Sequence, residues 1–288
     1  MTDIQKYFAP TSLDQALDCL RDGDVTILAG GTDLMPQSQA GKLRFKRTLM
    51  NIRRVPELIG VARQGGDICI GALTTVTELM DNALVQRHLP VLVDACDHFA
   101  SDQIRNSATL GGNICNASPA GDTLIPLLVL DARVELASKN KGRLNWRSLP
   151  LAEFFTGPGK TRRAPNELLV GVRIPLPEPG GVAYFHKFGT RPALDISTIS
   201  IGIAGTLRRG ALFNVRVAFG AVAPTVVRAP RTEQALEGQR LDPHSIAQVA
   251  EVARDEVTPI DDLRASAWYR KELIHNMTKR MLDHVAHA

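Results

Sequence analysis

Thr109-Leu-Gly-Gly-Asn-Ile-Cys-Asn-Ala-Ser-Pro-Ala-Gly-Asp-Thr123 is a run of small residues around two adjacent glycines, Gly111 and Gly112. Neither carries a Cβ, so backbone N–H groups can converge there on one oxyanion such as a phosphate. Asn113, Asn116, Ser118, Asp122 and Thr123 add side-chain donors and acceptors within a few residues. That mixture suits a ligand with phosphate, sugar and heterocycle parts. A Gly-Gly-Asn turn by itself is more often a plain loop, so the reading depends on a second motif.

The second motif is Ala29-Gly-Gly-Thr-Asp-Leu-Met-Pro36. Val25-Thr-Ile-Leu28 ahead of it reads as a short buried strand, which delivers the glycine turn to a sheet end where amides are free of ladder bonds. Two amide-lined cradles in one domain suit a pyrophosphate of about two negative charges, so a dinucleotide cofactor is expected. No G-x-G-x-x-G occurs, which disfavours a Rossmann site. Gly157-Pro-Gly-Lys-Thr161 imitates a P-loop but has Phe154 where the pattern needs glycine, and Arg162, Arg163 and Pro165 follow where a helix should open.

Outward from these motifs, Ser12 and Gln15 form a capping-box pattern, and Leu13, Ala16, Leu17 and Leu20 recur at helical spacing until Gly23. Residues 49–52 predict a strand, and 58–62 with 68–71 a hairpin about Gly65-Gly66. Residues 75–80 predict a short helix and 89–101 a longer one, with Leu92, Cys96 and Phe99 on one face. Asp122 is expected to cap a helix running to Leu130. Residues 134–136 and 144–146 flank another hairpin turn. Pro175, Pro177, Pro179, Gly180 and Gly181 mark a domain boundary. Beyond it, Tyr184-Phe-His-Lys187 starts a second part, residues 196–207 and 211–219 form a long hairpin, and 233–236, 243–257 and 265–285 are helical. Asp242 caps the second of these helices; Tyr269, Leu273, Met277 and Met281 make a packing stripe on the last.

The 288 residues are 44% hydrophobic, with 34 basic against 30 acidic side chains. The dense basic cluster, Lys42, Arg44, Lys46 and Arg47 interleaved with Leu43 and Phe45, reads as a surface strand with a solvated face, and no nucleic-acid partner is expected. Cys19, Cys69, Cys96 and Cys115 have no C-x-x-C spacing, so reduced thiols are expected and no zinc or iron–sulfur site from this chain. The histidines show no metal spacing and Ser118 has no G-x-S-x-G setting, which weakens hydrolase readings. No stretch approaches the roughly 20 apolar residues of a membrane span, and residues 1–8 lack a secretory apolar region. A cytoplasmic protein without membrane contact is expected.

Ala29-Gly-Gly-Thr-Asp33 together with Gln103-Ile-Arg-Asn-Ser-Ala-Thr-Leu-Gly-Gly-Asn-Ile-Cys-Asn-Ala-Ser-Pro-Ala-Gly-Asp122 resembles the FAD-binding subunit of molybdenum hydroxylases, and in particular the xanthine dehydrogenase type. Phe154-Phe-Thr-Gly-Pro-Gly-Lys160, Glu167-Leu-Leu-Val170, Leu194-Asp-Ile-Ser-Thr198 and Ala218-Phe-Gly-Ala-Val-Ala-Pro224 extend the resemblance along nearly the whole chain. It implies an α+β fold: a two-part FAD-binding domain of the vanillyl-alcohol oxidase kind over 1–176, with a break near 54–58, then a smaller domain of antiparallel sheet and helices over 182–288. It implies FAD held by Ile27, Leu28, Ala29, Gly30, Gly31, Thr32, Asp33 and Leu34 and by a second cradle of Thr109, Leu110, Gly111, Gly112 and Asn113. Asp122 would bond the ribityl or phosphate region, Phe99 and Leu169 would flank the ring, and Lys187 would lie at its pyrimidine edge. A cation there raises the flavin's reduction potential, so Lys187→Met is expected to lower it. The implied partners are a molybdopterin subunit and a [2Fe-2S] subunit, with NAD or another acceptor taking the electrons. The alternative is a stand-alone FAD oxidoreductase that meets its substrate directly. The resemblance also makes Cys115, in a place often aliphatic in such chains, a possible neighbour of the flavin.

Overall fold

A computed structural model describes residues 4–21, 23–191 and 193–287. The outermost residues of the two expected domains, 1–3 and 288, therefore lie outside the described residues. The chain begins with β1 (Lys6–Phe8), α1 (Leu13–Arg21), β2 (Val25–Leu28), α2 (Leu34–Gln39) and β3 (Thr48–Asn51). These strands form a parallel sheet in the order β1-β3-β2, with Val25 opposite Thr48 and Leu28 opposite Asn51. Parallel neighbours need crossovers, which α1 and α2 supply. Leu13, Ala16, Leu17 and Leu20 on α1 bury their shared face against Met50, Ile52 and Leu58, the arrangement their 3.6-residue spacing demands.

After a 3-10 turn at Pro56–Leu58 come β4 (Val61–Gln64) and β5 (Asp67–Gly71), then helices α3 (Val76–Asp81), α4 (Ala83–His88), α5 (Pro90–Asp97), α6 (Asp102–Arg105), α7 (Leu110–Asn116) and α8 (Leu124–Val129). β6 (Arg133–Asn140), β7 (Arg143–Pro150), the small hairpin β8 (Phe155–Gly157) and β9 (Lys160–Thr161), and β10 (Glu167–Pro175) follow. β4, β5, β10, β6 and β7 make an antiparallel sheet in that order. Six helices thus sit inside one sheet's connection, between β5 and β6. The third sheet is β11 (Gly181–Phe188), β12 (Ile199–Arg208), β13 (Ala211–Gly220) and the short β14 (Val227–Arg228), all antiparallel and backed by α9 (Pro230–Leu236), α10 (Pro243–Glu256) and α11 (Ala267–Ala286). Asp242 caps α10 as expected, accepting from the N–H groups of His244 and Ser245. On α11, Leu273 and Met281 are buried and Met277 packs against the same cluster, while Tyr269 meets Phe188 edge-on.

α8 is buried at every residue and packs on β11, β12 and β13 as well as α5. One apolar cluster consequently contains Ile70, Leu92 and Leu169 together with Phe185, Ala204 and Ala218 from the third sheet.

Three expectations need correction. Residues 42–47 form no strand; the backbone leaves α2 through Gly41, at φ +71°, and returns as an irregular segment. The helix expected over 89–101 stops at Asp97, and Ala100 takes a left-handed φ of +43°. Asp122 does not cap α8, because its carboxylate is committed to Lys187 and Ser197.

Candidate functional site

Residues 29–33 turn between β2 and α2, with Gly31 at φ +78°, a region open to glycine at little cost. A Cβ on Gly30 would fall 2.0 Å from the carbonyl oxygen of Ser107. That close approach presses the turn onto the segment entering α7, and so brings the two glycine pairs to one cleft. Among the described residues, no N–H of residues 30–33 is bonded within the chain. Successive free amides at a helix entrance form a nest for an anion.

The second glycine pair works differently from the sequence expectation. Thr109–Asn113 is a capped helix start rather than an open turn: Thr109 Oγ1 accepts from Gly112 N at 3.1 Å and Thr109 O from Asn113 N at 3.0 Å. Leu110 N donates to Thr74 O at 3.0 Å and Gly111 N to Ala72 O at 2.8 Å. A Cβ on Gly111 would stand 2.7 Å from Ala72 O, so glycine here serves a backbone-to-backbone contact. The amides of this motif are spent on the chain itself, and the two cradles are not equivalent. What the motif turns toward the cleft is side chain. Asn113 Oδ1 accepts from Thr123 Oγ1 at 2.7 Å, which leaves the Asn113 amide N–H₂ as a donor without a partner among the described residues.

The cleft has a volume of about 430 Å³, within the ordinary range of ligand pockets. Ile27, Ala29, Gly30, Gly31, Thr32, Asp33, Leu34, Phe99, Thr109, Gly111, Gly112, Asn113 and Leu169 all line it. Leu28, Leu110, Asp122 and Lys187 do not. Asn116, one of the polar side chains counted with the glycine motif, lines it as well, and the sequence reading missed Gln37, Leu43, Arg44, Lys46, Ala72, Leu73, Gly159, Thr161, Arg163 and Leu168 among the other wall residues. A signal existed for two of them: the failed P-loop, folded as β8–β9, brings Gly159 and Thr161 to the cleft. Cys115 also faces it, with burial pushing its thiol up to about 11.

Lys187 and Asp122 form a buried pair behind Phe99. Lys187 Nζ donates to Asp122 Oδ2 at 2.6 Å and to His98 O at 3.0 Å, with its side chain 7% exposed. Ser197 Oγ donates to Asp122 Oδ1 at 2.8 Å. Burial pushes the Asp122 carboxyl above its ordinary range, against the opposing pull of Lys187 and Ser197. Arg105 binds the neighbouring carbonyls, Asp97 O at 3.0 Å and Phe99 O at 2.9 Å. Three successive carbonyls at the end of α5 therefore accept from cations, which holds Phe99 at the cleft wall after the helix has stopped. Lys187 itself does not line the cleft but supports its wall through these bonds.

A cleft with an amide nest, three cations (Arg44, Lys46 and Arg163) against the single carboxylate of Asp33, and an apolar wall at Phe99, Leu168 and Leu169 is built for an anionic, partly aromatic cofactor. Residues 2–177 match the family described as the FAD binding domain in molybdopterin dehydrogenase, and residues 183–285 that described as the CO dehydrogenase flavoprotein C-terminal domain. The xanthine dehydrogenase FAD-binding subunit of Escherichia coli O157:H7 is 36% identical over 100% of this chain and 98% of its own length. The carbon monoxide dehydrogenase medium chain of Hydrogenophaga pseudoflava is 31% identical over 96% of each. A solved carbon monoxide dehydrogenase structure from that organism superposes with a TM-score of 0.91, covering 97% of this chain and 96% of the other at 30% identity. The chain belongs to the FAD-binding flavoprotein family of the molybdenum hydroxylases, and its cofactor is FAD. The α+β architecture of an FAD-binding domain followed by a smaller sheet-and-helix domain is the one expected. No helix among the described residues is long and apolar enough to cross a membrane.

Proposed function

We propose that the cleft between residues 29–34 and α7 holds the FAD, and that the chain is the electron-transfer subunit of a xanthine dehydrogenase-type complex. The observation that carries the placement is the run of unbonded N–H groups over residues 30–33, facing a cleft whose charged lining sums to a positive excess. A diphosphate supplies the anion such a nest needs. Gly30, Gly31, Thr32 and Asp33 would hold the diphosphate, Asn113 would donate its free amide to the cofactor, and Phe99 and Leu169 would exclude water from the ring. FAD, when bound, takes electrons singly or in pairs and passes a pair to an acceptor. The chain's own work is to bind and orient it and to keep the ring wall fixed through Arg105 and Lys187.

Full-length similarity to a xanthine dehydrogenase FAD-binding subunit supports a purine as the substrate of the complex. The reading includes a molybdopterin subunit and a [2Fe-2S] subunit as partners, NAD as acceptor and a cytoplasmic location. The thiol state of Cys69, Cys96 and Cys115 supports that location. Co-expression with the partner subunits tests it: purine-dependent NAD reduction that disappears when this chain is omitted is the expected result. Turnover of a small molecule by the isolated, FAD-loaded chain would favour a stand-alone oxidoreductase instead.

A further inference from the structure

Away from the cofactor cleft, a second cavity of about 280 Å³ opens where α4, the linker ahead of β11 and the strands β12 and β13 meet. Arg87 and His88 line it from the last turn of α4, Glu178 from the linker, and Asn214 and Arg216 from β13. Two guanidinium groups and an imidazole thus share the cavity with a single carboxylate, at the seam between the two domains. Arg87 has no carboxylate partner among the described residues. Arg216 is paired, but incompletely: Nη1 donates to Asp131 Oδ2 at 2.9 Å, while Nε is buried and has no hydrogen-bond partner among the described residues. Asp131 is itself divided between two arginines, since Oδ1 accepts from Arg228 Nη1 at 2.7 Å. Folded proteins rarely leave a buried N–H unmet, and an ion is one of its usual acceptors.

β13 is irregular at this place. Ala204 pairs with Arg216 and Thr206 with Phe213, so Asn214 and Val215 stand together opposite Gly205. Two residues against one make a β-bulge, a device that re-aims side chains. Asn214 takes a left-handed φ of +51°, which asparagine tolerates better than most residues. One carboxylate claims both N–H groups of the bulge: Asn214 N donates to Glu237 Oε1 at 3.0 Å and Val215 N to Glu237 Oε2 at 2.9 Å. A Cβ on Gly205 would fall 2.9 Å from Phe213 O, which reserves that position for glycine. The bulge therefore holds Asn214 at the cavity, with its side-chain amide free of partners among the described residues. A guanidinium presents parallel donors to the oxygens of one anion, and an amide N–H₂ adds another. The volume lies just below the usual range for drug-sized ligands, which suits a small anion.

We infer that this cavity binds a small oxyanion, a phosphate or a carboxylate, which fastens α4 and the linker to β13. The cavity and the cofactor cleft share no lining residue, so neither reading depends on the other. The test uses the full chain with FAD bound, which keeps the probe out of the cofactor cleft, in buffers matched for ionic strength. Inorganic phosphate and malonate are titrated separately by calorimetry, and cutting of residues 176–180 by subtilisin is timed with and without each. At least one of the two binds with a dissociation constant of about 1 mM or tighter, and at about 10 mM slows cutting by roughly fivefold to tenfold through mass action. Binding of phosphate alone assigns a phosphate site, and of malonate alone a carboxylate site. Arg87→Ala weakens binding about threefold, the scale of one exposed charge contact. Asn214→Gly, which keeps the left-handed backbone and removes the amide, weakens it by about as much. Glu178→Gln tightens it, because the carboxylate it removes opposes the anion. No binding of either anion at about 10 mM, binding that Arg87→Ala and Asn214→Gly leave unchanged, or binding that gives the linker no protection overturns the inference.

Discussion

Replacing Lys187 by methionine keeps the length of the side chain and removes one charge of the pair that supports the cleft wall. Both partners are almost fully enclosed, at 7% and 10% side-chain exposure. Breaking such a pair from one side costs about 3–5 kcal/mol, because the other charge stays buried. Asp122 keeps its bond from Ser197 and can take up a proton, which places the loss near the lower figure. For a chain of this size about 3 kcal/mol corresponds to a fall of roughly 6–12 °C in the unfolding temperature. The pH dependence has a definite sign. Burial already raises the folded Asp122 pKa above the ordinary 3.8, and losing Lys187 raises it further. Below 3.8 the group is protonated in both states, and the variant is nearly as stable as wild type. Just above that value both forms lose stability together as the unfolded chain ionises; once pH passes the wild type's own raised pKa, the folded variant still resists ionisation and the deficit grows. Thermal unfolding of the flavin-free chain at pH 4.5 and 7.5 reads this directly, and Asp122→Asn added to Lys187→Met should recover most of the loss at pH 7.5. A deficit under about 1 kcal/mol at pH 7.5, or one equal at both pH values, would refute the buried-pair argument.

Gly30→Ala drives a methyl into the Ser107 carbonyl; overpacking of this kind costs about 1–3 kcal/mol, and FAD affinity should fall more than tenfold in a fluorescence titration as the turn lifts from α7. Cys115, with its thiol pushed up to about 11, should resist iodoacetamide at pH 7.5 in the folded chain and react in urea, as read by mass spectrometry. The Arg270 guanidinium holds Asp262 down to about 2, so the stability this group contributes is complete above pH 3.8 and lost as pH falls through about 2. Asp262→Asn should flatten the acid limb of the stability curve between those values, and an unaltered limb would show that the pair contributes nothing there.

What the sequence made legible was the part governed by local rules. α1, the hairpin β4–β5, the cap at Asp242 and the long β12–β13 pair follow from periodicity, capping and turn chemistry that act within a few residues. The glycine pairs pointed correctly to the cleft walls at 29–34 and at α7. Sequence could not show how their amides are used, because the acceptors for Leu110 and Gly111 come from Thr74 and Ala72, over thirty residues away. Lys187 illustrates the same limit. Its spacing and strand context are compatible with a cofactor contact, yet its place is decided by Asp122, sixty-five residues earlier. Arg44 and Lys46 were visible as charge but read as a solvated strand, since nothing local shows that Thr26 and Gln37 fold the segment back onto the cleft.

The complete burial of α8 against β11, β12 and β13 bears on how the chain responds to cutting. Residues 176–180, which join β10 to β11, are exposed or half-exposed and rich in proline and glycine, an evident target for proteases. Cleavage there severs one covalent link and leaves the shared apolar cluster intact. The two fragments should therefore travel together on a sizing column and melt in a single transition, and a gene split at this position should complement when both halves are made in the same cell.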